Sequence, residues 1–397
     1  MWPLVALVAV GAIALTGVVV TAARRSPGST ALANPTPTPS AATAHATHAA
    51  ASQSRSSSDS PAPSAADHAW AGLRATSSQV LMGDMTLIFS WPGGMLARGY
   101  DSPFMKYSAD ARTWVAVGDS ATFDNDGGLM DGIAWNGRIL VATGQINSAG
   151  VSKPVVWVSS DGRSWSTADT KGTFDPGARI AALAANSSAI VGVTADGQAW
   201  HSTDGRTWTH AALPGSAGTR IVQAVATTKA FVVVGLNGGD GAQVPNKGVT
   251  IWSSDDGTAW QSRVLTTQQW AWEKLFVLDD RFVAYEGATP EASSVSAELD
   301  ARRGWVSPDG YDWTVIAASP AGFDAVGSNG SLLVAQQRMT SVGAPFVLDQ
   351  SVDGVHWIPL PIDAPATGMV AATAVVPNGV FVGVSPFGAR EFLEAAR

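Results

Sequence analysis

From about residue 67 onward the apolar residues fall in short runs separated by turns of Gly, Asn, Asp and Ser. The runs are too short for helices and rich in β-branched residues, so each predicts a strand. They also come in sets. One set reads G-L-M-D-G-I-A-W-N from Gly128, R-I-L-V-A-T-G from Arg138, P-V-V-W-V-S from Pro154 and S-W-S-T-A from Ser164. The next opens R-I-A-A-L-A-A-N at Arg179 and A-I-V-G-V-T at Ala189, and the one after R-I-V-Q-A-V-A-T at Arg220 and A-F-V-V-V-G at Ala230. An apolar strand, a tight turn, a second strand, a variable loop and a third strand leading into a hairpin therefore recur, with four strands to each unit.

The hairpin between the third and fourth strands carries a repeated phrase. Its copies are S-A-D-A-R-T-W ending at Trp114, S-S-D-G-R-S-W at Trp165, S-T-D-G-R-T-W at Trp208, S-S-D-D-G-T-A-W at Trp260, S-P-D-G-Y-D-W at Trp313 and S-V-D-G-V-H-W at Trp357. The tryptophans lie 51, 43, 52, 53 and 44 residues apart, a period that belongs to propeller blades or solenoid units. Asp-Gly between apolar strands signals a tight turn. The Ser and Asp oxygens can take up N–H groups that the turn leaves unpaired, and the Trp brings a large apolar surface to the start of the next strand.

The phrase resembles the Asp-box, or bacterial neuraminidase repeat, of sialidase-type β-propellers. On that resemblance Asp110, Asp161, Asp204, Asp255, Asp309 and Asp353 are the structural box aspartates. The fourth copy is read from Ser253 in the longer S-x-D-x-G-x-x-W form, and the first has Ala111 where the others have Gly. The fold this implies is an all-β, seven-bladed propeller over residues 67–397. After Trp357 only three further strands follow, around Met369, Gly379 and Arg390, so the strand-like piece His68–Arg74 is expected to complete the last blade and close the ring.

Residues 2–23 hold no charge and are long enough to span a bilayer. Residues 1–25 are accordingly expected to form a hydrophobic helix serving as membrane anchor, or a signal segment, with Ala31-Leu32-Ala33 as a cleavage site that would release a secreted form. Residues 26–66, with P-T-P-T-P-S and S-Q-S-R-S-S-S, have the Ser/Thr/Pro/Ala composition of a disordered stalk. His45 and His48 belong to that stalk, with no companion ligands. A stalk of this composition suggests an extracytoplasmic placing, whereas Arg24 and Arg25 would favour a cytoplasmic C-terminal side.

Composition sharpens these expectations. The chain is 46% hydrophobic and 14% charged with 16 Trp, which suits many buried strands. A net charge of −8 speaks against nucleic acid. With no cysteine, disulfides, thiolate metal sites and thiol nucleophiles are excluded. Asp124-Asn125-Asp126-Gly127-Gly128 begins like a calcium loop but has Trp135 where the closing Glu belongs, so no metal and no cofactor are expected, and the head is expected to be monomeric.

Recognition is expected on the face opposite the hairpins, where the second-to-third-strand loops and the blade connections lie. Trp270 and Trp272 are candidates for stacking on a sugar ring, with Arg98 and Tyr100 beside them as further ligand-binding candidates. A sialidase needs an arginine clamp, a tyrosine nucleophile and an acidic partner. Tyr285, Glu286, Arg179 and Arg220 are the weak candidates, and an F/Y-R-I-P motif is missing. Asp-box propellers include sialidases, xyloglucan-specific cellobiohydrolases, sorting-receptor ectodomains and photosystem assembly factors, so the box leaves activity open. The expectation is a non-catalytic, membrane-tethered extracytoplasmic propeller that binds a glycan or a cell-envelope protein. An exo-acting glycoside hydrolase of sialidase type is the alternative.

Overall fold

A computed structural model of the chain describes residues 69–75, 87–98, 105–117, 129–148, 151–170, 173–175, 178–238, 247–267, 272–287, 304–316, 323–337, 347–363, 369–385 and 389–396. The chain divides into two compact units, Met1–Ser60 and Pro61–Arg397, and all of these residues belong to the second. The expected N-terminal helix and the stalk lie outside the described residues. Among the described residues no helix is long and apolar enough to cross a membrane.

The strands form seven four-stranded antiparallel sheets, the blades of a propeller. Six blades take their strands in chain order. The seventh is built from Met369–Val376, Gly379–Ser385 and Ala389–Ala396, and Gly72–Ala75 pairs with the last of these, Leu73 opposite Ala395. The N-terminal strand thus closes the ring, as the strand count predicts. Gln350 of blade six holds the incoming chain, accepting the Trp70 N–H at 2.9 Å and donating to its carbonyl at 2.7 Å.

The apolar core is partitioned by the blades. It forms seven clusters, one for each blade-to-blade junction. Val376, Phe381 and Phe392 of blade seven meet Met95, Ala97 and Ala111 of blade one, so the ring also closes through its side chains. Second strands sit between two such layers. Ile190–Thr194 is buried at every position, while the innermost strand Ile180–Ala185 alternates buried and half-buried residues. Outer strands are short and exposed, with Val115, Val264, Val315 and Ile358 open to solvent.

The repeated hairpin works as a clasp. In blade two the Ser159 Oγ accepts the Gly162 N–H at 2.8 Å and lies 3.1 Å from Asp161 Oδ1. That same Oδ1 accepts the N–H groups of Arg163 and Ser164, both at 2.8 Å, and the Trp165 indole N–H donates to the Gly162 carbonyl at 3.1 Å. The glycine adopts φ +71°, which favours Gly. In blade one Ala111 takes this conformation at φ +64°, with its methyl buried against blade seven.

The fourth copy corrects the sequence reading. Its clasp is Ser254, Asp256 and Gly257, with Asp256 Oδ1 accepting the N–H groups of Thr258 and Ala259 at 2.8 and 2.9 Å. Asp255 does not fill the box position, because S-D-D-G-T-A-W from Ser254 restores the short form used by every other copy. Ser253 instead donates to the Gly310 carbonyl of the next blade.

Each hairpin also lies on the preceding blade. A Cβ on Gly205 would come 2.6 Å from Val141, one on Gly257 2.6 Å from Val191, and one on Gly310 2.6 Å from Val232. The side-chain-free glycine is therefore needed for inter-blade packing as well as for φ. On this same face Asn136, Asn186, Thr227 and Asn329 close the first-to-second-strand turns by accepting the N–H two and three residues on.

Candidate ligand pocket on the third blade

The connection from blade two to blade three ends in Phe174, Asp175, Ala178 and Arg179. Phe174 is buried in the junction of the two blades, with its ring 5.0 Å from Trp200 and 5.8 Å from Trp208. That anchor fixes the next residue, Asp175, whose carbonyl accepts the Ala178 N–H at 3.0 Å. Arg179 then passes its carbonyl to the N–H of Ala195 at 3.0 Å, which ties the connection to the turn between the second and third strands.

That turn is Thr194-Ala195-Asp196-Gly197-Gln198. Gly197 takes φ +86°, as the left-handed residue of a three-residue hairpin loop. The Thr194 hydroxyl sits 2.5 Å from Asp196 Oδ1 and accepts the Gln198 N–H at 3.0 Å. Gln198 Oε1 lies 2.6 Å from His210 Nε2, and the His210 ring is 5.0 Å from Trp200. Asp175, Ala178, Arg179, Thr194, Ala195, Asp196, Gln198 and Trp200 together enclose a recess of about 350 Å³. The volume is at the small end of the range for small-molecule sites.

Behind the recess, Arg179 directs Nε and Nη2 to one oxygen of Asp131, at 3.2 and 2.9 Å. Asp131 is on the innermost strand of blade two, at a register shift between Met130 and Gly132. Matching shifts occur in the innermost strands of blades three, four, six and seven. A bulge re-aims the extra side chain, and in blade two it delivers a carboxylate to the next blade's arginine. The Asp131 side chain is 10% exposed, and its second oxygen is buried with no hydrogen-bond partner.

A second recess, of about 370 Å³, opens on the hairpin face between Trp91, Gly93, Tyr107, Trp135, Ser160, Asp161 and Arg163. Arg163 lies over the Tyr107 ring, 4.3 Å from its centre, and the Asp161 carboxylate is engaged by turn N–H groups. Its polar groups already serve the hairpin.

The sequence candidates scatter. Tyr285 is buried, and its hydroxyl donates to the Gly354 carbonyl of the hairpin of blade six at 2.5 Å. Burial, with Asp353 nearby, raises its pKa well above the ordinary phenol range. Its hydroxyl is thus directed to the hairpin of blade six, beside Val283 and Gly354. Glu286 follows on the same strand, opposite Glu273. Arg220 is exposed on the innermost strand of blade four. Arg98 donates to the Met130 carbonyl, linking blades one and two. Trp272 begins the innermost strand of blade five, opposite Gly287. Tyr100 and Trp270 lie outside the described residues, as does the Asp124–Gly128 segment. Among the described residues no group of His, Asp and Glu could hold a metal ion.

Of the candidates among the described residues, only Arg179 lines the blade-three recess. Asp131, Asp175, Asp196, Gln198 and Trp200 escape a reading of the sequence because they come from three separate segments, an inner strand of blade two, the blade connection and a hairpin of blade three. The one local signal is A-D-G between two strands, which reads simply as a turn.

No protein-family model matches the chain, and no curated protein matches it. Solved structures do. A GH74 enzyme from Niastella koreensis superposes with a TM-score of 0.52 at 15% identity, covering 79% of this chain and 53% of its own. This chain thus spans about half the length of that enzyme. YCF48 bound to D1 peptide superposes at 0.51 with 15% identity, covering 83% and 98% of the two chains. YCF48 from Cyanidioschyzon merolae gives 0.50 at 12% identity, covering 82% and 99%. At such identities the likeness concerns the fold, a seven-bladed propeller.

Proposed function

We propose that the chain is a non-catalytic, extracytoplasmic propeller, tethered to a membrane through residues 2–23 and the stalk, that binds a glycan at the recess of blade three. The observation that carries this reading is the recess itself. A half-buried indole, Trp200, is framed by Asp175, Asp196 and Gln198 on two loops that hydrogen bonds and a buried Phe hold in place. An aromatic face suits the apolar side of a sugar ring, and carboxylate and amide oxygens suit its hydroxyls.

The hydrolase alternative is less well supported. Tyr285 uses its hydroxyl on a hairpin carbonyl, and Arg179 turns Nε and Nη2 to Asp131. The resemblance of the repeated hairpin to the Asp-box is kept as a proposal about ancestry, consistent with the Ser-Asp-Gly-Trp clasp.

The test is a glycan array probed with the full chain in a non-glycosidic detergent, beside the Trp200→Ala variant, with fluorogenic glycosides run in parallel. Binding lost in Trp200→Ala, without turnover, is expected. Turnover abolished by Tyr285→Phe would overturn the non-catalytic reading. Array binding that Trp200→Ala leaves intact would move the site elsewhere.

A further inference from the structure

Among the described residues three charged side chains line the blade-three recess, and their charges do not cancel. Arg179 already faces Asp131. Drawing it away to a ligand carboxylate would leave a nine-tenths buried Asp131 alone, with one oxygen that has no other partner even now, a strongly unfavourable exchange. Two of the Arg179 N–H groups are turned to Asp131 and its charge is balanced there, so it does not offset the carboxylates at the rim. Asp175 and Asp196 remain. Both are exposed at the rim, and among the described residues no salt bridge reaches either one. Asp196 has only the Thr194 hydroxyl and Asp175 no described side-chain partner. The recess presents two carboxylates and an indole, and indole is the side chain best suited to attract a cation to its face.

We infer that the recess takes a protonated amine carried on a sugar ring, that is, a glycan with unacetylated amino-sugar units, and that it rejects acidic sugars. This rests on the glycan-binding reading and specifies its ligand class. The ammonium would donate to Asp175 and Asp196 while the ring lies against Trp200. A sialic acid carboxylate entering the same recess would meet two like charges and an arginine whose charge Asp131 already balances.

The probes are an unacetylated glucosamine tetrasaccharide, its fully N-acetylated counterpart, sialyllactose and a lysine-rich peptide, titrated calorimetrically into the full chain in a non-glycosidic detergent. Each hydrogen bond to a charged group should favour the free amine, so the unacetylated tetrasaccharide is expected to bind at least about 10-fold tighter than the acetylated one. Raising the salt should erode that preference. Asp175→Asn should reduce the preference severalfold and Asp175→Asn/Asp196→Asn should remove it, the unacetylated form losing more affinity than the acetylated one. Asp196→Asn also alters the turn at Thr194, so Asp175→Asn, on a side chain without a described partner, is the cleaner variant. Equal or tighter binding of the acetylated or sialylated probe would overturn the amine assignment while leaving a glycan site. Tighter binding of the peptide would overturn it in favour of a protein ligand. If no saccharide bound a chain shown to be folded by its cooperative melt, the glycan reading itself would fall together with the assignment.

Discussion

Replacing Asp256 and Asp255 separately by Ala tests the clasp at a place where sequence and structure disagree. Asp256 Oδ1 accepts two backbone N–H groups at 2.8 and 2.9 Å and lies 3.1 Å from Ser254 Oγ. The Ala259 N–H foremost, with that of Thr258, holds its pKa far below the usual carboxylate range against the opposing effect of burial. A hydrogen bond to a charged group contributes about 1.5–3 kcal/mol. Asp256 is exposed, however, so water replaces part of what is lost, and Asp256→Ala is expected to cost about 1–3 kcal/mol. For a head of this size that is a fall in Tm of roughly 2–6 °C. Asp255 makes no clasp bond. It accepts from the Tyr311 phenol, which burial and then Asp255 push up to about 12. Asp255→Ala should cost under about 1 kcal/mol and bring the Tyr311 titration down, visible as tyrosinate absorbance. Urea and thermal melts of the two variants decide the matter. A larger loss in Asp255→Ala than in Asp256→Ala would refute the assignment of the clasp.

Tyr285→Phe should cost about 1–2 kcal/mol, through loss of the buried bond to Gly354, and leave glycan binding unchanged; calorimetric titration beside a urea melt would show both. Gln223 clamps the innermost strands of blades four and five by donating to the Leu275 carbonyl at 2.6 Å and accepting its N–H at 3.0 Å, so Gln223→Ala should cost about 1–3 kcal/mol in the same melt. Deleting residues 67–75 removes the closing strand with buried Trp70 and Leu73, and should lower the midpoint of a cooperative transition. A deletion that melted like the full chain would contradict closure. Asp110, Asp161, Asp204, Asp256, Asp309 and Asp353 all have depressed pKa values; for Asp353 the upward push of burial is outweighed by the His356 side chain and turn N–H groups, and it falls to about 2. Their stabilisation is present above the unfolded carboxylate value of about 3.9 and is lost as pH falls through the folded values. The urea midpoint should therefore drop between about pH 4 and about pH 2, and drop less in Asp256→Ala.

The propeller was legible because its determinants are local and repeated. A Ser, an Asp, a Gly and a Trp within one hairpin make their bonds to each other, and a strand count of three after Trp357 demands a fourth from elsewhere. The error at Asp255 arose where two consecutive serines and two consecutive aspartates allow both registers. Only the hydrogen bonds of Ser254 and Asp256 distinguish them. The role of Tyr285 was hidden for another reason. The direction of its hydroxyl depends on the hairpin of blade six, 69 residues on. The blade-three recess was illegible on the same grounds, since Asp131, Asp175, Asp196 and Trp200 meet only after two blades have packed.

Why the recess forms at blade three follows from how the junctions are filled. Among the described residues, the junction of blades two and three takes Phe174 from the connection itself. Phe174 meets Trp200 and Trp208 edge-on, so the backbone leading to Asp175 is set by core packing. The opposite wall is set by Gly197, whose missing Cβ lets the turn lie against Ser216, 2.5 Å from where that atom would be. The two carboxylates are thus held by a buried aromatic on one side and a tight turn on the other, while the arginine between them is drawn back by a bulge of the neighbouring blade. Preorganisation of that kind lowers the cost of ordering a site when ligand binds. It also makes the charge of the recess a property of two blades together, which is why Asp131, remote from the rim, governs what Arg179 can recognise.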